Sequence, residues 1–281
     1  MIGIFDSGFG GLSIFREIHR LLPQYDYVFL GDNARAPYGD RSFDEVFEFT
    51  NQAVNRLFDM GCPLVILACN TASAKALRNI QQNELPRSAD PTRRVLGVIR
   101  PTVERVCNLT YSGHIGLVAT RATVSSRSYD MELQHTTVPA SLRGLHLTSR
   151  ACPRWVPLIE SGQLHGEALY REVKADLTAL LSDDPDIDTI ILGCTHYPLI
   201  TSLIQQVLQE LDHPEIILMP QGKPVSYALQ DYLLRHPEMD ARLTRGGRTS
   251  FCTTGDVPAF EHLATLFLGH KSQIEARQLV L

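Results

Sequence analysis

Two cysteines stand where a thiol can do acid–base chemistry. Cys69 follows the apolar run Val65-Ile66-Leu67-Ala68 and precedes Asn70-Thr71; Cys194 follows Ile190-Ile191-Leu192-Gly193 and precedes Thr195-His196. A thiol, with an ordinary pKa near ~8.5, gives up its proton at neutral pH more readily than a serine hydroxyl, and a helix N-terminus lowers that value further. Placed on opposite faces of a carbon acid, one thiolate removes a proton while the other thiol supplies one, and the stereocentre inverts. The plain alternative is that both are small buried residues, since free cysteine is among the most buried types. Chemistry is favoured because one context, three aliphatics, a small residue, a cysteine and then polar groups, occurs twice with an offset of 125 residues.

The neighbours of the two thiols differ. His196 can assist Cys194 or hold a substrate carboxylate, and Asp6, at the end of the first apolar run, can orient or relay protons for Cys69. A structural histidine and a carboxylate capping the helix that starts around Gly11 are the ordinary readings of the same residues. Ser7, Asn70, Thr71 and Thr195 bring hydroxyls and amides beside expected helix N-termini, where backbone N–H groups favour carboxylates, so they suit a small anionic substrate as well as N-capping. The loop 31–39 is dense in turn formers and follows a strand, which makes Tyr38 and the Gly39 amide candidate substrate contacts. Glu160, in a segment that also holds the only tryptophan, reads either as a contact for a substrate ammonium or as an exposed acid. The cluster Gly8-Phe9-Gly10-Gly11 has neither dinucleotide-binding nor P-loop spacing and serves a tight turn. The four lysines, Lys75, Lys174, Lys223 and Lys271, avoid strand ends, so cofactor-independent chemistry is expected. With no Cys-x-x-Cys and no His-x-x-x-His, a metal site is not expected either.

Positioning these groups requires strands that end at one edge. Short aliphatic runs alternate with longer amphipathic stretches, the pattern of parallel strands joined by crossover helices. Strands are expected at 2–5, 27–30, 64–68, 95–99, 115–118, 144–148, 189–192, 216–218 and 249–253, with helices at 12–22, 43–60, 72–82, 166–181 and 199–211. Continuous apolar runs mean strands buried on both faces. The stretch 2–7 can also be laid over 115–120, at an offset of 113, so two matches in the same order indicate a duplicated domain. The expected fold is α/β: two similar doubly wound domains with mainly parallel sheets, 1–98 plus 213–281 and 99–212, related by a pseudo-twofold. Ligands of such sheets bind beyond the carboxyl ends of the strands. The active site is therefore expected in a cleft between the domains.

Composition narrows the classes. A chain of 281 residues with 44% hydrophobic and 20% charged residues supports two globular cores. A net charge of −5 supplies no field for nucleic acid or an anionic membrane surface. The first residues lack the cationic segment of a secretory signal, apolar runs are strand-length, and six cysteines without short regular spacing read as reduced thiols, so a cytoplasmic location is expected.

The segments Ile4-Phe5-Asp6-Ser7-Gly8-Phe9-Gly10-Gly11-Leu12, Gly31-Asp32 through Tyr38-Gly39, Ala68-Cys69-Asn70-Thr71-Ala72, Gly97-Val98-Ile99, Ala151-Cys152-Pro153 through Leu158, and Leu192-Gly193-Cys194-Thr195-His196-Tyr197-Pro198-Leu199 closely resemble those of bacterial glutamate racemases. The resemblance implies interconversion of L- and D-glutamate without a cofactor, with D-glutamate destined for peptidoglycan and the cell wall. It implies Cys69 and Cys194 as the proton carriers, and Asp6-Ser7, Tyr38-Gly39, Asn70-Thr71 and Thr195-His196 as substrate contacts. Small-molecule glutamate is the implied partner, with no nucleic acid and no membrane, and a homodimer is left open. His196 fits the glutamate branch better than the aspartate one. Met219-Pro220-Gln221-Gly222 departs from the family's usual Asp-Ser at that place, and Arg100 is unexpected. Relatives acting on aspartate, hydantoins or maleate, a non-catalytic sensor and a Cys–His hydrolase remain as alternatives.

Overall fold

The computed structural model describes residues 1–137, 142, 144–269 and 274–281, so Lys271 lies outside the described residues. The strands are β1 (Ile2–Asp6), β2 (Tyr27–Gly31), β3 (Leu64–Leu67), β4 (Arg94–Gly97), β5 (His114–Ala119), β6 (His146–Ala151), β7 (Thr189–Gly193), β8 (Ile217–Met219), β9 (Thr249–Thr253) and β10 (Ala276–Gln278). They form two sheets, one ordered β10-β9-β2-β1-β3-β4 and one β6-β5-β7-β8, and every adjacent pair runs parallel. The continuous apolar runs have their physical meaning here: β1, β2, β3 and β7 are buried along their whole length because crossover helices cover both faces of a parallel sheet.

The chain falls into two compact units, Met1–Val98 with Gly222–Leu281, and Ile99–Gln221. The sequence reading returned the chain to the first domain at residue 213. That boundary is too early, because β8 pairs with β7 in register Thr189↔Ile217 and so belongs to the second sheet. Within the first unit the order β2-β1-β3-β4 matches β6-β5-β7-β8 of the second. The registers repeat as well: Ile2↔Leu64 corresponds to Ile115↔Thr189, which reproduces the offsets of 113 and 125 seen in the sequence. In such an order the connection reverses direction beside the first strand, and the polar loops at the carboxyl ends of β1 and β3, and of β5 and β7, are where a ligand is held.

Three local expectations shift. The strand expected at 95–99 stops at Gly97, since Ile99 begins the helix Ile99–Val106. The strand expected at 144–148 starts at His146, the residue that pairs with the first residue of β5. The helix expected at 72–82 is broken into Asn70–Lys75, Leu77–Asn79 and a π turn, Ile80–Glu84. β10, a three-residue strand with half-buried to exposed side chains, carries no apolar run to announce it.

Each unit has its own core. In the first, Phe5, Leu30, Val54 and Leu67 pack around the sheet; in the second, Trp155, Leu177, Ile190 and Leu192 do. Trp155 is fully buried, packs against Tyr197 in a tilted ring contact at 4.7 Å between centroids and donates Nε1–H to Asp176 Oδ2 at 2.9 Å. Trp155→Ala should therefore cost about 3–5 kcal/mol of unfolding free energy, read from urea denaturation, against the ~1 kcal/mol of an average substitution. No helix among the described residues is long and apolar enough to cross a membrane.

Candidate active site

In the first unit β1 and β3 lie side by side with Phe5 opposite Leu67, and the Ala68 N–H continues the ladder to the Phe5 carbonyl at 2.8 Å. This pairing brings the residues beyond the two strands together. Cys69 caps the helix Asn70–Lys75, its sulfur accepting from the Ala72 amide at 3.4 Å, and Ser7 Oγ lies 3.3 Å from Sγ. Burial pushes the Cys69 thiol up and the Asp6 carboxylate adds to it. Hydrogen bonds from Ser7 and Ala72 offset only part, leaving the value at about 12. Cys69 is thus a protonated thiol at neutral pH. Helix-terminus activation, expected from sequence, is present but loses to desolvation.

Asp6 is held by the Gly8 amide, which donates to Oδ2 at 2.9 Å. It does not cap the following helix: the residue before Leu12–Leu21 is Gly11, and no side chain caps it. Gly11 does something else there. A Cβ at that position would lie 2.5 Å from Asp6 Cβ, so the turn needs glycine to let the carboxylate sit against the backbone. Asn70 and Thr71 are buried in the first turn after Cys69.

At the carboxyl end of β2, Asp32 is completely buried and organises the loop. It accepts from Arg35 Nε at 2.7 Å, from Thr254 Oγ1 at 2.7 Å and from the Tyr38 hydroxyl. Tyr38 is buried against Phe5 and Phe49, and burial together with the Asp32 charge pushes its hydroxyl well above the ordinary phenol value. Its O–H is committed to Asp32, which leaves the oxygen as an acceptor. Gly39, beside it, is half-buried. In the sequence nothing local marks Asp32, one polar residue in a loop of turn formers.

In the second unit the equivalent of Asp6 is Ala119, and the acid is replaced by a different helper. Cys194 Sγ lies 3.8 Å from His196 Nδ1, and His196 Nε2 lies 3.0 Å from Glu160 Oε1. Burial lowers the affinity of the imidazole for a proton. The hydrogen bonds and charges of Cys194 and Glu160 more than reverse this, raising the pKa to about 10, so His196 is an imidazolium at neutral pH. Glu160, read from sequence as an ammonium contact or an exposed acid, is half-buried and turned onto His196. Thr195, between Cys194 and His196 in the chain, is buried. Tyr197 is fully buried, its hydroxyl donating to the Cys152 carbonyl at 3.3 Å.

Gln221 fills the place of the unexpected tetrapeptide. It is buried, and its amide nitrogen donates to Thr102 Oγ1 at 2.9 Å and to the Tyr129 hydroxyl at 2.8 Å. Arg100 pairs with Glu132 at 3.0 Å on the surface, where such a pair contributes little.

Two equivalent strand ends thus carry a thiol each, one against a carboxylate and one against an imidazolium. The family model for Asp/Glu/Hydantoin racemase matches residues 2–218. The chain belongs to the Asp/Glu/Hydantoin racemase family. Within this family it is 40% identical to the glutamate racemase of Dinoroseobacter shibae, over 98% of both chains. Among solved racemase structures, a glutamate racemase isoform of Bacillus anthracis superposes with a TM-score of 0.86 at 33% identity, covering 100% of this chain and 97% of that one. The glutamate racemase of Francisella tularensis in complex with D-glutamate superposes at 0.83 with 29% identity, covering 100% and 97%.

Proposed function

We propose that the chain interconverts L- and D-glutamate without a cofactor, with Cys69 and Cys194 as the two proton carriers acting on one α-carbon. The observation that carries this is the repeated strand-end thiol, at matching register in both sheets and with unlike partners. A racemase must meet two mirror-image substrates, and inversion needs one group to take the α-proton while another gives one from the opposite face. The resting charges suit that division. Cys69 waits as a thiol beside Asp6, while the His196 imidazolium stands against Cys194, where it would stabilise negative charge that forms on that sulfur during proton transfer. After one turnover the roles are exchanged, and the return reaction runs through the same pair.

Asp6, Ser7, Asn70, Thr71, Thr195 and His196, with Tyr38 and Gly39, are the proposed contacts for the substrate's carboxylates and ammonium. The product D-glutamate would supply peptidoglycan synthesis in the cytoplasm, where six free buried thiols are at home. Incubating the dialysed protein with L-glutamate should drive the circular dichroism of the amino acid to zero with no added cofactor. Aspartate, one methylene shorter, should turn over at least about tenfold more slowly in kcat/KM. Equal or faster aspartate turnover would overturn the assignment to glutamate.

A further inference from the structure

At the end of the second unit's sheet opposite Cys194, three side chains from three elements converge. His114 opens β5, His146 opens β6, and Asp184 follows the helix Glu167–Asp183. Because β5 and β6 pair with His114 opposite His146, the two imidazoles stand on one face, ring centroids 5.3 Å apart. The Asp184 side chain is only 5% exposed, and its Oδ2 lies 3.0 Å from Nδ1 of both rings, with Oδ1 2.9 Å from that of His114. One donor atom from each residue lies within 4.8 Å of the other two. Nothing in the proposed racemisation uses this cluster.

We propose that His114, His146 and Asp184 form a binding site for a divalent first-row transition ion, zinc(II) in the first place. Imidazole nitrogen and carboxylate oxygen are the ligands such an ion takes, at about 2.0–2.2 Å, which sets neighbouring ligand atoms roughly 3–3.5 Å apart. The nitrogen–oxygen separations are already of that size. Parallel pairing fixes the two histidines, so little ordering is left for the metal to impose. Asp184 is ionised: burial works against its charge, but hydrogen bonds from His114, His146, Thr148 and the Asp186 amide hold it below the usual carboxylate range. Thr148 Oγ1 at 3.1 Å and the Asp186 amide at 3.2 Å would keep the carboxylate aimed once the metal replaced the histidine protons, the usual task of groups behind a ligand. A ring that binds the ion through Nδ1 carries its proton on Nε2. His146, with a side chain 64% exposed, leaves an entry path and an open position for water. A bound ion would tie β5, β6 and the end of a helix together, and so stabilise the folded second unit without touching Cys194.

The test uses the tag-free chain stripped of metal by a chelator and titrated with cobalt(II) and zinc(II). One equivalent should bind, cobalt showing ligand-field bands without the near-ultraviolet band of a thiolate ligand. His146→Ala should weaken binding at least about tenfold and remove the zinc-dependent rise in Tm, while keeping wild-type glutamate turnover in metal-free buffer. Asp184→Asn should also weaken it, and the exposed His146 keeps the test open if that variant does not fold. Absence of binding, a thiolate band, or unchanged affinity in His146→Ala would each reduce the cluster to a hydrogen-bonded clamp and overturn the proposal.

Discussion

If the proposed two-thiol mechanism operates, replacing either strand-end cysteine by alanine is expected to abolish inversion while leaving α-proton exchange with solvent in one enantiomer only. In Cys69→Ala the remaining cysteine, Cys194, can still take the α-proton of the enantiomer that presents it. With no acid on the other face, the only return is from Cys194 itself, after its own proton has exchanged with the medium. In heavy water that enantiomer should gain deuterium with retention, and its mirror image should stay protonated. Cys194→Ala should give the opposite enantiomer. The loss of racemisation in each case should be at least about 10³-fold in kcat/KM, the order of a positioned acid or base. Because L- and D-glutamate have equal free energy, kcat/KM must fall equally in both directions, so rates alone do not separate the thiols; the retained exchange does. Full racemisation in either variant would sink the two-thiol mechanism. A Cys–His hydrolase built on Cys194, His196 and Glu160 makes a different prediction, since Cys69 would be dispensable to it.

The sheet order was within reach of the sequence because buried parallel strands are written as uninterrupted aliphatic runs, and the repeat of 2–7 in 115–120 and of 65–71 in 190–196 set two pairs of strands in matching registers. The positions of Asp6, Ser7 and Cys69 followed from that, since residues just past adjacent parallel strands must meet. What stayed hidden depended on pairings with no local mark. Glu160 reaches His196 from 36 residues away, and Asp32 earns its importance from Thr254, a residue brought in by β9. His114, His146 and Asp184 carry no metal-binding spacing because strand register, not chain proximity, assembles them. The early return to the first domain has a similar origin: the run at 216–218 reads as a strand from its own residues, but which sheet it joins is decided by its neighbour β7.

His196→Gln is expected to separate the helpers as the alanine variants separate the thiols. Glutamine can occupy much of the imidazole's space but carries no charge, so negative charge that forms on Cys194 during proton transfer has no counter-ion, and racemisation should fall about 100-fold. The decisive comparison is in single-thiol backgrounds. Added to Cys69→Ala, His196→Gln should slow the residual exchange, which runs through Cys194; added to Cys194→Ala, it should leave the exchange through Cys69 unchanged. Glu160→Gln should act in the same direction and less, since it removes only the group that holds the ring. Stability supplies an independent reading. The folded-state pKa of His196 is raised, to about 10, above an ordinary imidazole value near ~6.5. Its contribution is therefore complete below pH ~6.5, declines as pH rises, and is gone above about 10. The difference in urea midpoint between wild type and His196→Gln should shrink across that window. A difference that stays constant with pH would mean that the histidine contributes packing alone, and that no imidazolium stands beside Cys194.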